Sequence, residues 1–139
     1  MTRNMQWMGF LSTVLIMVTL FMGGLREPFR QIQAAEDYQM IAVAEAIDIY
    51  AENCVVCHGA SGEGLGVYPA ITTAGTMDAD TLFKTIERGR YDTQMAAYGL
   101  DEGGILTNAQ IDNLVTMIRV SDWVSVSQRV DELGLTPPE

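Results

Sequence analysis

Residues 54–58 read Cys-Val-Val-Cys-His and contain both cysteines and the only histidine of this 139-residue chain. Two thiols separated by two residues on one helical turn can each add to a vinyl group of the same porphyrin. The histidine that follows can then present its imidazole to the iron. The spacing is therefore typical of covalent haem attachment, with Cys54 and Cys57 forming thioethers and His58 as the proximal ligand.

Other uses of two cysteines fit this segment less well. A structural zinc site needs four ligands, usually from two such pairs, and the sequence contains no second pair. A thioredoxin-like Cys-x-x-Cys would lie near a βαβ pattern, whereas the flanks here have a helical and a glycine-rich pattern. A disulfide would leave His58 without a role. We therefore predict one haem c, attached through Cys54 and Cys57.

Charge limits the partners that this chain can bind. Asp and Glu outnumber Lys and Arg by 18 to 8, and the formal net charge is −10. Nucleic acid is not expected as a partner, because phosphate binding requires basic patches. The acidity either maintains solubility or forms an acidic face that attracts a basic partner.

Residues 5–25 form an almost continuously apolar segment, and its few hydroxyl residues can hydrogen-bond within a helix. About 20 such residues are enough to span a bilayer. Trp7 lies near one end of the segment, and Arg26 and Arg30 follow the other end, as expected at membrane interfaces. This pattern predicts a transmembrane helix that contacts lipid.

A cleaved secretory signal is the alternative interpretation of the same segment. The apolar region of a signal is usually about 7–15 residues long and is followed closely by a small-residue cleavage site. Here residues 26–30 intervene, and the nearest candidate site, Gln33-Ala34-Ala35, is a poor match. We therefore predict a retained anchor. Because covalent haem attachment in bacteria occurs outside the cytoplasm, we expect the haem domain on the periplasmic side of the cytoplasmic membrane.

The pattern of hydrophobic residues divides the chain into four predicted segments. These are an N-terminal transmembrane anchor at 1–27, a juxtamembrane linker at 28–36, a haem domain at 37–120 and a tail at 121–139. The tail is rich in apolar residues, and we expect it to dock on the haem domain or on a partner subunit. No strand signal is longer than a few residues, so the predicted fold class is all-α.

Three helices are predicted within the haem domain. The first runs from Asp37 into the cysteine motif, with apolar residues at three- and four-residue steps. The second covers residues 79–88, with Asp78 as its N-cap. The third begins at Thr107, which forms a Thr-x-x-Gln capping box with Gln110.

Residues 43–119 resemble a class I cytochrome c with one haem. The matching features are the helix that ends at the motif, the glycine-rich loop with Pro69, the segment Met-Ala-Ala-Tyr-Gly at 95–99 and the entry to the last helix at 106–107. The resemblance implies a cytochrome c fold of three to four helices around a covalently bound haem. In that fold the first and last helices cross beside the haem, and here one transmembrane helix precedes them.

The resemblance also implies a distal iron ligand, which is a methionine in the loop before the last helix. Met95 is the candidate, although Ala96 stands where the family often has proline, and Met77 is the alternative. Pro69 matches the proline whose carbonyl accepts a hydrogen bond from the proximal imidazole, or it is an ordinary turn proline. Arg88, Arg90 and Tyr91 are near enough in sequence to donate to haem propionates, but a solvated surface cluster is the simpler interpretation.

A haem held by histidine and methionine has no open position on the iron, so it transfers single electrons and catalyses no reaction itself. Residues 103–112 resemble small cytochrome subunits of bacterial respiratory or photosynthetic complexes, such as the quinol-oxidising alternative complex III. The expected partners are other subunits of such a complex, together with redox proteins that donate and accept electrons. The alternatives are a free membrane-anchored carrier, or a haem sensor or peroxidase-like protein with an open distal site.

Overall fold

The computed structural model describes residues 2–120 and 122–135, and the side chains of 6–120 and 122–135. Its helices are α1 (Thr2–Asn53), α2 (Val55–His58), α3 (Ala79–Arg88), α4 (Asn108–Val120) and α5 (Trp123–Glu132), with 3-10 turns at Ala74–Thr76 and Leu100–Glu102. Among these residues the β-type pairing is an isolated bridge between Gly99 and Leu106. The all-α prediction is confirmed. Of the predicted tail, residues 121 and 136–139 lie outside the described residues.

The chain divides into two compact units, Met1–Tyr38 and Gln39–Glu139. The described part of the first unit is helical throughout, and its large apolar side chains are exposed. Hydroxyl groups in its apolar stretch bond within the helix: Ser12 and Thr13 both donate to the Gly9 carbonyl, at 2.8 and 2.9 Å. By length and composition, α1 is the described helix that is able to cross a membrane, with a window mean hydropathy of 2.0. Residues 28–36, predicted as a linker, are helical and include Pro28.

The second unit has a single core to which the end of α1 and helices α2 to α5 contribute. The end of α1, with Ala46 and Tyr50 among them, and α4 each supply five buried side chains, and α3 supplies Leu82 and Ile86. These α4 residues are Ile111, Leu114, Val115, Met117 and Ile118. Their three- and four-residue spacing places them on one face of the helix.

Two predicted helix starts are confirmed by their hydrogen bonds. The Asp78 carboxylate accepts a bond from the Thr81 backbone N–H at 3.1 Å and caps α3. At the start of α4, Thr107 N–H donates to the Gln110 side-chain oxygen at 2.9 Å, and Gln110 N–H donates to the Thr107 hydroxyl at 3.3 Å. This reciprocal pair is the capping box that the sequence indicated.

Helix α5 packs on the core of the second unit through fully buried Val126 and Val130. The Arg129 guanidinium donates to the Asp48 carboxylate of α1 at 2.7 Å. At the start of α5 the Asp122 carboxylate accepts bonds from the Ser125 N–H at 3.2 Å and the Ser125 hydroxyl at 2.6 Å. These two bonds lower the pKa of Asp122, the hydroxyl contributing most.

We expect Asp122→Ala to destabilise the protein by about 0.5–2 kcal/mol, because an N-cap is lost. Asp122→Asn is the matched control, since asparagine caps equally well without titrating. A carboxylate with a lowered pKa stabilises the folded state above its unfolded pKa of about 3.9 and loses this effect as the pH falls through the folded value. In urea unfolding, the difference in free energy of unfolding between wild type and Asp122→Ala should therefore become smaller below about pH 4. An unchanged difference at acidic pH would contradict the assignment.

Candidate haem-binding site

The cysteine motif continues the helical path that α1 begins. Cys54 N–H donates to the Tyr50 carbonyl at 2.8 Å, and His58 N–H donates to the Cys54 carbonyl at 2.9 Å. Both cysteines are free thiols. Burial raises the pKa of the Cys54 thiol to about 12, with a further contribution from Cys57, so this thiol is protonated at neutral pH. The local geometry thus presents two thiols and an imidazole from one helical turn.

The motif opens onto a cavity of about 670 Å³ in the second unit. This volume falls within the range of about 300–1,000 Å³ that is usual for ligand and cofactor pockets. The lining is mostly apolar. It includes Cys54, Cys57, His58, Pro69 and Met95. Two thiols, an imidazole and a thioether around one largely apolar cavity fit a covalently held haem. The structure therefore brings together all five residues that the sequence singled out.

A hydrogen bond orients the His58 ring. Its Nδ1 atom lies 2.9 Å from the Pro69 carbonyl oxygen. Because a carbonyl can only accept, Nδ1 carries the proton and donates it, and Nε2 is left as the nitrogen with a free lone pair. An acceptor on the remote nitrogen both fixes the ring and raises the basicity of the nitrogen that binds metal.

The loop between His58 and Pro69 is closed by backbone hydrogen bonds and needs glycine at one close approach. Gly64 N–H donates to the His58 carbonyl at 2.7 Å. At φ +80°, a Cβ on Gly64 would lie 2.6 Å from the Ala70 nitrogen and 2.7 Å from the Tyr68 oxygen. A side chain here would push residues 68–70 away from the loop, so Gly64 allows Pro69 to reach the histidine.

Glu63 lies in the same loop and was not singled out from the sequence. Its carboxylate accepts bonds from the Ser61 N–H at 2.8 Å and the Ser61 hydroxyl at 3.2 Å. Desolvation would raise the pKa of Glu63, but hydrogen bonds from backbone N–H groups and from Ser61 outweigh it and lower this pKa. The carboxylate therefore stays ionised and holds the loop together beside the motif. A glutamate among glycines carries no sequence signal for this contact.

Two methionines line the cavity, Met95 and Met77. Met95 is half-buried and packs against the core, whereas Met77 is 41% exposed. The Met95 carbonyl accepts a bond from the Arg90 N–H at 3.0 Å. Gly89, at φ +68°, lies so close to the Met95 and Ala96 carbonyls that a Cβ there would overlap them. Packing therefore favours Met95 as the methionine that the fold holds in place.

Tyr98 ties the loop that carries Met95 to the end of α1. Its hydroxyl donates to the Asn53 carbonyl at 3.0 Å, and its N–H donates to the Ile86 carbonyl at 3.1 Å. Tyr98 also lines the cavity, and burial raises its pKa. In the sequence, Tyr98 stands out only as part of the family pattern Met-Ala-Ala-Tyr-Gly at 95–99. Its position three residues after Met95 was the available signal.

Two aromatic residues, Tyr50 and Trp123, pack beside the residues that follow the cysteine motif. The Tyr50 ring is buried, and its hydroxyl donates to the Gly59 carbonyl at 2.7 Å. The Trp123 ring packs edge-on against Tyr50, with ring centroids 5.6 Å apart. The Trp123 indole N–H is buried and has no hydrogen-bond partner among the residues that the structure describes. Helix α5 thus contributes an aromatic wall behind the residues that follow the motif.

This fold and cavity define a c-type cytochrome. Residues 42–118 match the family described as "Cytochrome C oxidase, cbb3-type, subunit III". The match covers more than half of the chain, and the protein belongs to this family. The prediction of a c-type cytochrome preceded by an apolar anchor helix is therefore confirmed.

Two relatives extend the comparison. A "Cbb3-type cytochrome c oxidase subunit CcoP" of Azospirillum sp. (strain B510) is 35% identical over 108 residues, which are 68% of this chain and 33% of that protein. The protein of the same name from Azospirillum brasilense is 31% identical over 119 residues, 76% of this chain and 39% of that protein. The chain thus spans between a third and two fifths of the length of the curated relatives it matches. No solved structure matches it.

We expect Tyr98→Phe to cost about 1–3 kcal/mol in the free energy of unfolding, because it leaves the part-buried Asn53 carbonyl without its donor. Tyr68→Phe is the matched control. The Tyr68 hydroxyl donates to the Gln94 side chain at an exposed position, so its loss should change stability by less than about 0.5 kcal/mol. Urea unfolding of the haem-loaded variants measures both. Equal losses would show that the Tyr98 bond has no special role in closing the loop.

Proposed function

We propose that this protein is a membrane-anchored cytochrome c with one haem that transfers single electrons. The observation that carries this proposal is the shared cavity of Cys54, Cys57, His58 and Met95. The two cysteines would hold haem c covalently, and His58 Nε2 and the Met95 sulfur would bind its iron. Haem c, when bound, supplies a one-electron couple between ferrous and ferric iron.

The protein's own residues favour electron transfer over catalysis. Pro69 orients His58 from one wall of the cavity, and the loop fixed by Gly89 and Tyr98 presents Met95 from another. With His58 and Met95 both bound to it, the iron would have no site for a substrate. Histidine–methionine ligation also raises the reduction potential, as electron carriers of this class require. The protein would therefore be a non-catalytic component of its redox chain.

The N-terminal helix would tether the haem domain to the bacterial cytoplasmic membrane. Residues 5–25 supply the apolar length that a single crossing needs. Covalent attachment of haem outside the cytoplasm supports a periplasmic haem domain. A tether of this kind restricts diffusion of the domain to the membrane surface, where larger redox complexes reside.

The two relatives support a place in a respiratory complex, since each is named as a subunit of a cbb3-type oxidase. They give no specific support to alternative complex III. We propose that this chain is likewise a fixed subunit, with other subunits and electron donors and acceptors as its partners. A free membrane-anchored carrier is the second candidate, because one apolar helix is enough to tether the haem domain.

Met95→Ala should abolish the weak long-wavelength absorption band that methionine–iron ligation gives in the oxidised protein, and should allow carbon monoxide to bind the reduced form. Met77→Ala is the matched control, because Met77 lines the same cavity but is more exposed. It should keep the band. If Met77→Ala removes the band instead, Met77 is the ligand. If wild type lacks the band and binds carbon monoxide, the protein has an open distal site and the carrier proposal fails.

Gentle detergent extraction of the tagged full-length chain from its native membrane should recover a stable set of redox subunits with it. The measurement is the composition of the purified fraction, together with the number of haems per chain. A haem protein that purifies alone at several detergent concentrations would contradict the fixed-subunit proposal and support the free carrier.

A further inference from the structure

Arg90 is the cavity-lining residue whose charge the proposed function has not used. Apart from His58, it is the only residue with a basic side chain among those that line the cavity, and Asp92 is the only one with a carboxylate. In the described part of the chain neither of them forms an ion pair. In a chain of formal net charge −10, a guanidinium without a carboxylate partner is notable.

Neighbouring basic residues are already paired. Lys84 forms an ion pair with Asp80, and Arg88 pairs with Glu87 and Glu102. Arg88 and Lys84 do not line the cavity. Arg90 therefore differs from the other two basic residues of this region both in position and in having its charge available.

Hydrogen bonds of the Arg90 backbone fix the position of its Cα atom at the edge of the cavity. Its N–H donates to the Met95 carbonyl at 3.0 Å, and its carbonyl accepts bonds from the Thr93 N–H at 3.1 Å and the Thr93 hydroxyl at 2.7 Å. Arg90 thus lies at the closing point of the loop that carries Met95. Its side chain is exposed, and its backbone is held in place by these bonds.

We propose that Arg90 binds a carboxylate of the haem, that is, one of its two propionates. The inference rests on the haem attachment proposed above. A porphyrin carries two propionates, and a mostly apolar cavity offers them few charged partners. A guanidinium binds a carboxylate through two parallel hydrogen bonds, which makes arginine better suited to this task than lysine. The pairing neutralises negative charge close to the iron and so favours the reduced state.

The experiment is a redox titration of the full-length haem protein carrying Arg90→Gln. We expect the midpoint potential to fall, changing the ratio of reduced to oxidised protein about tenfold at a fixed applied potential, which is ~59 mV for a one-electron couple. Resonance Raman spectra should show a shifted propionate bending mode. Arg88→Gln is the matched control, because it removes the same charge two residues away and should change the ratio less than about twofold.

Two further variants separate propionate binding from other roles of Arg90. Arg90→Lys keeps the charge and should restore most of the potential, whereas a potential as low as that of Arg90→Gln would indicate a loosened loop and overturn the proposal. Asp92→Asn tests whether Arg90 serves only to neutralise Asp92. The fall in potential should persist when Arg90→Gln is made in the Asp92→Asn background, and its disappearance would overturn the proposal.

The failure of this inference can be told apart from failure of the proposed function. A pyridine haemochrome spectrum of each preparation reports whether haem is covalently attached. Wild type without attached haem would refute the proposed function. Attached haem with an unchanged potential and propionate mode in Arg90→Gln would refute the role of Arg90 alone.

Discussion

The hydrogen bond from His58 to the Pro69 carbonyl is the interaction on which the rest of the site depends. The His58 ring can turn about two single bonds, and this hydrogen bond holds it in one orientation. Fixing it requires an acceptor eleven residues later in the chain, and this in turn requires a loop tight enough to return. Gly64 and the ionised Glu63 carboxylate make the loop tight, so both help to position His58 although neither lines the cavity.

The loop that carries Met95 forms another part of the cavity lining, and hydrogen bonds hold it in place as well. Residues 89–99 contain no helix or strand, so the backbone groups of this loop need other partners. They find them in the end of α3, in each other and in the bridge between Gly99 and Leu106. The Tyr98 hydroxyl then joins the loop to the residue before Cys54. This bond joins the loop that carries Met95 directly to the end of α1, next to the cysteine motif.

Much of this organisation could be predicted from the sequence, because it rests on short-range rules. The Cys-x-x-Cys-His spacing, the Asp78 cap and the Thr107–Gln110 box each involve residues a few positions apart. The contacts that could not be predicted join residues distant in the chain. The Tyr98–Asn53 bond spans 45 positions and the Arg129–Asp48 pair spans 81. A lone tyrosine or arginine carries no pattern that names a partner so far away.

Helix α5 shows how such contacts extend the family fold. Val126 and Val130 are fully buried in the core, and the Trp123 ring packs edge-on against Tyr50, whose hydroxyl donates to the Gly59 carbonyl next to His58. The apolar residues of the tail therefore have a use within the haem domain itself. Since Trp123 and the two valines are occupied in this way, any surface for a partner subunit has to be formed by other residues. In the described part of this region the exposed large apolar side chains are Val120, Val124, Leu133 and Leu135.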